Sequence, residues 1–205
     1  MTSMIAIIDY GMGNIHSVNK ALQLYGAKTI VTNKASEISK ADKIVLPGVG
    51  AFDDAMQELK MQGLISVIKK ELNSGKPFLG ICLGMQILFE ESQEAKKAKG
   101  LGMLKGRVKR FKETGNLKVP HMGWNQLKIS NTCPLLEDIA SGAYVYFCHS
   151  YYPEPAEKKV VAATTDYGRD FSSVVWKDNV YGVQFHPEKS QKIGLKIVEN
   201  FLSRC

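Results

Sequence analysis

Three residues, far apart in the chain, have the types needed to build an activated nucleophile: Cys82, His186 and Glu188. Cys82 sits in Phe78-Leu79-Gly80-Ile81-Cys82-Leu83-Gly84-Met85-Gln86, where an apolar run ends in a cysteine with a glycine two residues to either side. An amphipathic pattern then begins at Met85, Ile87 and Leu88. This reads as strand, sharp turn, helix: a nucleophile elbow with Cys in place of Ser. Such a turn strains the nucleophile's backbone and crowds its neighbours, and glycines at minus two and plus two relieve the clash. The helix behind the turn aims free N–H groups and its positive dipole end at the sulfur, which favours thiolate over thiol. A cysteine among apolar residues is otherwise a small buried hydrophobe. The rest of the chain must therefore supply a base, an orienter and oxyanion donors.

His186 lies in Val183-Gln184-Phe185-His186-Pro187-Glu188, just past an apolar strand. Residues i and i+2 of an extended segment point to the same side, which makes Glu188 the neighbour of His186, with Pro187 stiffening the spacing. A carboxylate beside an imidazole fixes its tautomer and stabilises its protonated form. Cys82, His186 and Glu188 together have the logic of nucleophilic catalysis. Cys148-His149 is a rival pair, but adjacent strand residues face opposite sides. Cys148 reads as core, and His149, followed by Ser150 and Tyr151, reads as a strand end that lines a pocket. The oxyanion donors expected are the backbone N–H of Leu83, which follows the nucleophile, and that of Val49 in the turn Pro47-Gly48-Val49-Gly50.

The elements that must position these groups follow from hydrophobic pattern. Ile5 to Ile8, Lys28 to Thr32, Lys43 to Leu46 and the Phe78 run read as strands. Ile15 to Tyr25, Phe52 to Lys60 and Leu64 to Leu72 carry helical stripes. Over roughly the first 90 residues strand and helix alternate, which predicts a parallel α/β sheet with right-handed crossovers. Ligands in such sheets bind at the carboxyl ends of the strands, where both the Pro47 turn and Cys82 fall. Gly11 and Gly13 resemble the start of a dinucleotide fingerprint, but the third glycine is replaced by His16, so no nicotinamide cofactor is expected. Gln93 to Gly100 reads as a polar surface segment. Beyond it the pattern changes to strands at Gly106 to Lys112, Asn125 to Ile129, Ala143 to Phe147, Val160 to Thr164, Ser172 to Lys177 and Val180 to Gln184. A closing helix spans Ile193 to Leu202. The expectation is one domain, 1–205, with a mainly parallel central sheet flanked by helices and extended by antiparallel strands.

Composition narrows the class. With 205 residues, 44% hydrophobic and 23% charged, the chain is globular and long enough for a substantial core. No apolar run approaches the ~20 residues of a membrane span, and the start of the chain lacks a basic n-region and a cleavage site. A cytoplasmic location is expected. The four cysteines, Cys82, Cys133, Cys148 and Cys205, form no Cys-x-x-Cys, so no metal site or dithiol redox site is expected. The formal net charge is +7, and its densest basic stretch runs from Lys96 to Lys112, which lacks an interleaved aromatic stacking platform. That reads as a solvated face or a surface for an acidic protein partner, and nucleic-acid binding is not expected.

With these pieces placed, the sequence resembles the class I, triad-type glutamine amidotransferases, which implies a flavodoxin-like α/β fold. Five segments bring it close to the glutaminase subunits of imidazole glycerol phosphate synthases: Pro47-Gly48-Val49-Gly50, Gly80 to Gln86, Pro120-His121-Met122-Gly123-Trp124-Asn125, His149-Ser150-Tyr151 and Tyr181 to Glu188. The resemblance runs from Ile5 to Leu202. It implies that Cys82 attacks the side-chain amide of glutamine to form a thioester, that His186 protonates the leaving ammonia and later activates water, and that Glu188 orients His186. It further implies that Gly50, Gln86, His149, Ser150 and Tyr151 hold glutamine, and that Asn14, Trp124 and Lys189 face a synthase partner. The implied partner is a (β/α)8-barrel cyclase of histidine biosynthesis, in a heterodimer, with no cofactor. No residues are left over for a second substrate domain, so ammonia is expected to pass to that partner. Three rivals stay open on the residues alone: a glutaminase feeding another synthase, a cysteine hydrolase of γ-glutamyl peptides, and a silent binding module.

Overall fold

The computed structural model describes residues 3–113 and 117–205. Its first half alternates as the pattern requires: β1 (Met4–Ile8), α1 (Ile15–Gln23), β2 (Lys28–Thr32), α2 (Ala35–Lys40), β3 (Lys43–Gly48), α3 (Phe52–Met61), α4 (Leu64–Asn73) and β4 (Phe78–Cys82). A single turn, α5 (Leu83–Gln86), and a short β5 (Glu91–Ser92) follow. The second half is β6 (Gly106–Arg110), β7 (His121–Gln126), β8 (Lys128–Ile129), β9 (Tyr144–His149), β10 (Tyr151–Pro155), β11 (Val161–Asp166), β12 (Asp170–Lys177), β13 (Val180–Val183) and α6 (Gln191–Ser203).

The main sheet has eight strands in the order β2-β1-β3-β4-β13-β12-β11-β8. Pairing is parallel from β2 through β13 and antiparallel from β12 outward. Alternation along β1 explains why the sheet is covered on both faces. Ile5 and Ile7 pack with α1 and α6, whereas Ala6 and Ile8 pack with α2, α3 and α4. Two smaller sheets, β10-β6-β5 and the β7-β9 ladder, stand at the rim where the parallel strands end.

Three features differ from the sequence reading. The helix after the elbow is one turn long, because the chain leaves it at Ile87 and doubles back: Leu101 N–H bonds to the Ile87 carbonyl and Gly100 N–H to the Glu90 carbonyl. The apolar Ile87, Leu88 and Phe89 are fully buried, which a helical stripe and a buried irregular run satisfy equally well. The strand expected at Asn125 to Ile129 is two strands. Leu127 turns inward between them, and β7 begins at His121, where its alternation is masked by polar residues on both faces. Finally, α2 and β10 escaped the pattern because one is six residues long and the other carries two prolines.

Candidate active site

The elbow position of Cys82 is set by backbone crowding. Cys82 has φ +56°, a strained value for a residue with a side chain, and such strain typically costs about 1–3 kcal/mol and clusters at functional sites. The flanking glycines are required sterically. A Cβ on Gly80 would lie 2.5 Å from the Gly84 carbonyl oxygen, and one on Gly84 would lie 1.9 Å from the Leu46 carbonyl oxygen. The parallel register of β3 on β4 puts Gly48 opposite Cys82. Val49 and Leu83 therefore leave the sheet side by side, and both line the cleft above the sulfur.

His186 and Glu188 come from the turn between β13 and α6. His186 Nδ1 lies 2.9 Å from Glu188 Oε1, and both side chains are almost wholly buried. The local geometry differs from the extended dipeptide expected, because Pro187–Lys189 is a 3-10 turn. The i, i+2 neighbours still meet, since the chain coils under His186 instead of running straight. Ser190 holds this turn to β9: its hydroxyl donates to the His186 carbonyl at 2.6 Å and accepts from Tyr146 N–H at 2.9 Å. Burial alone would push the His186 imidazolium down. Hydrogen bonds and charge from the Cys82 sulfur and the Glu188 carboxylate outweigh that and hold its pKa up at about 10. A buried ring held this way by a carboxylate has the chemistry to carry a proton.

The cleft has a volume of about 330 Å³. Gly50, Gln86, His149, Ser150, Tyr151 and Lys189 all line it, together with the triad residues Cys82 and His186. Gln86 is nearly unexposed and donates to the Tyr151 carbonyl at 2.9 Å and to Gln184 Oε1 at 3.1 Å. With both N–H groups spent, its own Oε1 is the atom available for a substrate donor. Gln184 in turn donates to Cys82 Sγ at 3.7 Å. Asn14 and Trp124 are not in the cleft. Asn14 starts α1 at the carboxyl end of β1, and Trp124 stands on the outer face of β7, 45% exposed. A larger groove of about 930 Å³ lies elsewhere, between Lys69, Glu90, Arg107 and Glu154, and offers mixed charge but no nucleophile.

Cys148 is a correction: it is half-buried and borders the cleft, because β9 turns its even-numbered residues outward. Glu94 was missed. It lies in the stretch read as polar surface, yet it lines the cleft and accepts from Phe52 N–H at 2.9 Å, at the start of α3. Desolvation raises its carboxyl pKa, which an incoming cation would relieve. No periodic signal marks a loop residue of this kind. Gln184 was also missed, although it stands two residues before His186, in the bend that follows β13.

Known proteins agree with this geometry. The model of the family "Glutamine amidotransferase class-I" matches residues 6–205. The chain is 53% identical over 203 residues to the imidazole glycerol phosphate synthase subunit HisH of Syntrophotalea carbinolica, covering 97% of this chain and 98% of the relative. It is 55% identical over 199 residues to the subunit of the same name from Methanocaldococcus jannaschii, with the same coverage. A crystal structure of a glutamine amidotransferase superposes with a TM-score of 0.74 at 19% identity, over 96% of this chain and 98% of that one, which speaks to the fold. With an elbow cysteine at the rim of a parallel sheet and a full-length match to the family model, the chain belongs to the class-I glutamine amidotransferase family and, within it, to the HisH branch.

Proposed function

We propose that the chain is the glutaminase subunit of an imidazole glycerol phosphate synthase, with Cys82, His186 and Glu188 as its triad. The observation that carries this reading is the convergence of the triad: His186 hydrogen-bonded to Glu188 at 2.9 Å and sharing with Cys82 a cleft of about 330 Å³. The sulfur of Cys82 adds to the side-chain carbonyl carbon of glutamine. Charge develops on the carbonyl oxygen, and the Leu83 and Val49 N–H groups are the donors for it; one such donor is typically worth about 3 kcal/mol in the transition state. His186 gives its proton to the departing nitrogen, so ammonia leaves and a glutamyl thioester remains. The ring, now neutral, takes a proton from water as that water attacks the thioester, and glutamate is released with the thiolate restored. Glu188 holds the tautomer throughout.

Glutamine is held at its other end. Glu94 supplies a desolvated carboxylate for the α-ammonium, Gln86 Oε1 accepts from a substrate N–H, and Gly50, His149, Ser150 and Tyr151 line the remaining wall.

Ammonia released into neutral water is protonated and loses its nucleophilicity, so the product has to pass directly to a partner. The outer face of the β7-β9 ladder supports a docking role. It pairs Met122 with Cys148, Trp124 with Tyr146 and Gln126 with Tyr144. Met122, Trp124 and Tyr144 are 61%, 45% and 54% exposed, an apolar patch of the kind that marks an interface. Lys189, its Nζ 5.8 Å from the Tyr146 ring centre, and Val49, 42% exposed, connect that face to the cleft. The partner is a (β/α)8-barrel cyclase, forming a heterodimer with this chain, and Asn14 lies on the same rim of the sheet. No described helix is long and apolar enough to cross a membrane, consistent with a cytoplasmic biosynthetic enzyme.

The test is release of glutamate and ammonia from glutamine, with and without a candidate cyclase and its ligand. Turnover is expected to rise on adding both and to vanish in Cys82→Ser. A chain that hydrolyses glutamine at full rate by itself, indifferent to any barrel protein, would sink the coupling.

A further inference from the structure

The inner face of the β7-β9 ladder carries a polar chain that the triad does not use. Asn125 Nδ2 lies 3.3 Å from His121 Nε2, His121 Nδ1 lies 3.1 Å from His149 Nε2, and His149 Nδ1 lies 2.7 Å from the Tyr151 carbonyl. The carbonyl can only accept, so His149 Nδ1 carries a hydrogen. For a neutral ring Nε2 is then the acceptor, His121 Nδ1 is its donor, and His121 Nε2 accepts from Asn125. Asn125 spends its second N–H on the Asp166 carbonyl at 2.8 Å. Every hydrogen in the chain therefore points the same way.

The surroundings keep both rings neutral. His121 lies between Phe147, with ring centres 4.8 Å apart, and Tyr167, 4.0 Å apart, nearly parallel to each. Phe111 and Phe171 close against His149 at 5.4 and 5.1 Å. The exposures of His121 and His149 are 3% and 6%. Desolvation pushes their pKa values down to about 4 and about 3.

The chain does not stop at Tyr151. The carbonyl that accepts from His149 also accepts from Gln86, and Gln86 leads through Gln184 to the Cys82 sulfur. One carbonyl thus joins the histidine pair to the amides around the nucleophile.

We infer that His121 is a positioning residue for glutamine: acting through His149, it fixes the Tyr151 carbonyl and thereby the Gln86 amide and the Ser150-Tyr151 wall of the cleft. This rests on the glutaminase reading above. His121 touches no cleft atom, and its effect is transmitted by one hydrogen bond to a side chain that does. It is rooted in the same strand whose outer face bears Met122 and Trp124.

The inference is tested in the complex with the cyclase partner, using His121→Phe, which keeps ring packing and deletes the bonds, and His121→Gln, whose amide can still donate to His149 and accept from Asn125. Losing one hydrogen bond of this kind corresponds to about a five- to tenfold weakening. His121→Phe is expected to raise KM for glutamine by about that factor while changing kcat much less, and His121→Gln is expected to restore most of the loss. Equal impairment in both variants, or an unchanged KM in His121→Phe, overturns the inference. Should His121→Phe not fold, Asn125→Ala removes the outermost donor, and a KM unaltered there decides against it. Calorimetric titration of glutamine on a Cys82→Ser background reads the same shift without turnover. A wild-type complex that releases no ammonia therefore counts against the glutaminase reading, and the binding comparison still judges the relay.

Discussion

Replacing Glu188 by Gln isolates what a single negative charge contributes to this site. Glu188 Oε1 meets His186 Nδ1 at 2.9 Å, while Oε2 is buried without a hydrogen-bond partner. A glutamine can place its carbonyl oxygen where Oε1 stands and its amide nitrogen where the unpartnered Oε2 stands. The ring then keeps its hydrogen bond and its tautomer while the charge is lost, and the buried amide N–H groups add a stability cost that the melting temperature reads. Two arguments bound the consequence. Charge-assisted hydrogen bonds exceed neutral ones by about 1–1.5 kcal/mol. Two unit charges about 4 Å apart, at an effective dielectric constant of about 20, attract by about 4 kcal/mol. The imidazolium that faces the sulfur should therefore be destabilised by about 1–4 kcal/mol, which is about five- to a thousandfold in kcat/KM. The ring's pKa, held up at about 10 with the help of this carboxylate, should fall in the variant. The assay is initial-rate glutamate formation in the complex across pH, with melting temperature as a control for folding. A loss smaller than threefold, in a folded variant, would refute the role assigned to Glu188.

Three other outcomes follow from the geometry. Gly84→Ala drives a Cβ to 1.9 Å from the Leu46 carbonyl oxygen; urea denaturation should show a loss of about 3 kcal/mol or more, together with loss of activity. His121 and His149 titrate near 6.5 when unfolded and at about 4 and about 3 when folded, so below pH 6.5 the unfolded chain binds protons that the folded chain refuses. The stability they contribute is complete above pH 6.5 and should decline as pH falls from there to about 4 for His121 and about 3 for His149, by up to about 1.4 kcal/mol per pH unit for each ring, and chemical denaturation between pH 7 and pH 5 checks it before most carboxylates titrate. Trp124→Ala, on the exposed face of β7, should weaken association with the barrel partner by about 2–4 kcal/mol if it is a central anchor, read by titration calorimetry, with the isolated chain's melting temperature little changed.

Much of the scaffold was legible because it rests on local rules. A strand buried on both faces writes itself as a continuous apolar run, as Ile5 to Ile8 and Ile44 to Leu46 do. The elbow announced itself through two glycines, whose absent side chains the structure shows to be obligatory. The His186–Glu188 pair was legible from spacing, although the 3-10 turn that joins them was not. The helix after the elbow was overestimated, because buried apolar residues look alike in a helix and in an irregular run. Glu94 and the first part of β7, His121 to Trp124, were missed since neither a loop carboxylate nor a strand that buries histidine has a periodic mark.

Residue types and spacing, read along the chain, thus determined the candidate triad of Cys82, His186 and Glu188 and the alternating frame that bears it. Those features depend on interactions within a few residues, and sequence records such interactions directly. Only the tertiary structure decided that Gly48 stands opposite Cys82, that Glu94 turns into the cleft, and that His121 and His149 face each other across β7 and β9. These are contacts between segments tens of residues apart, made by strand pairing within a sheet and by a loop folding over the cleft, and no local pattern encodes them.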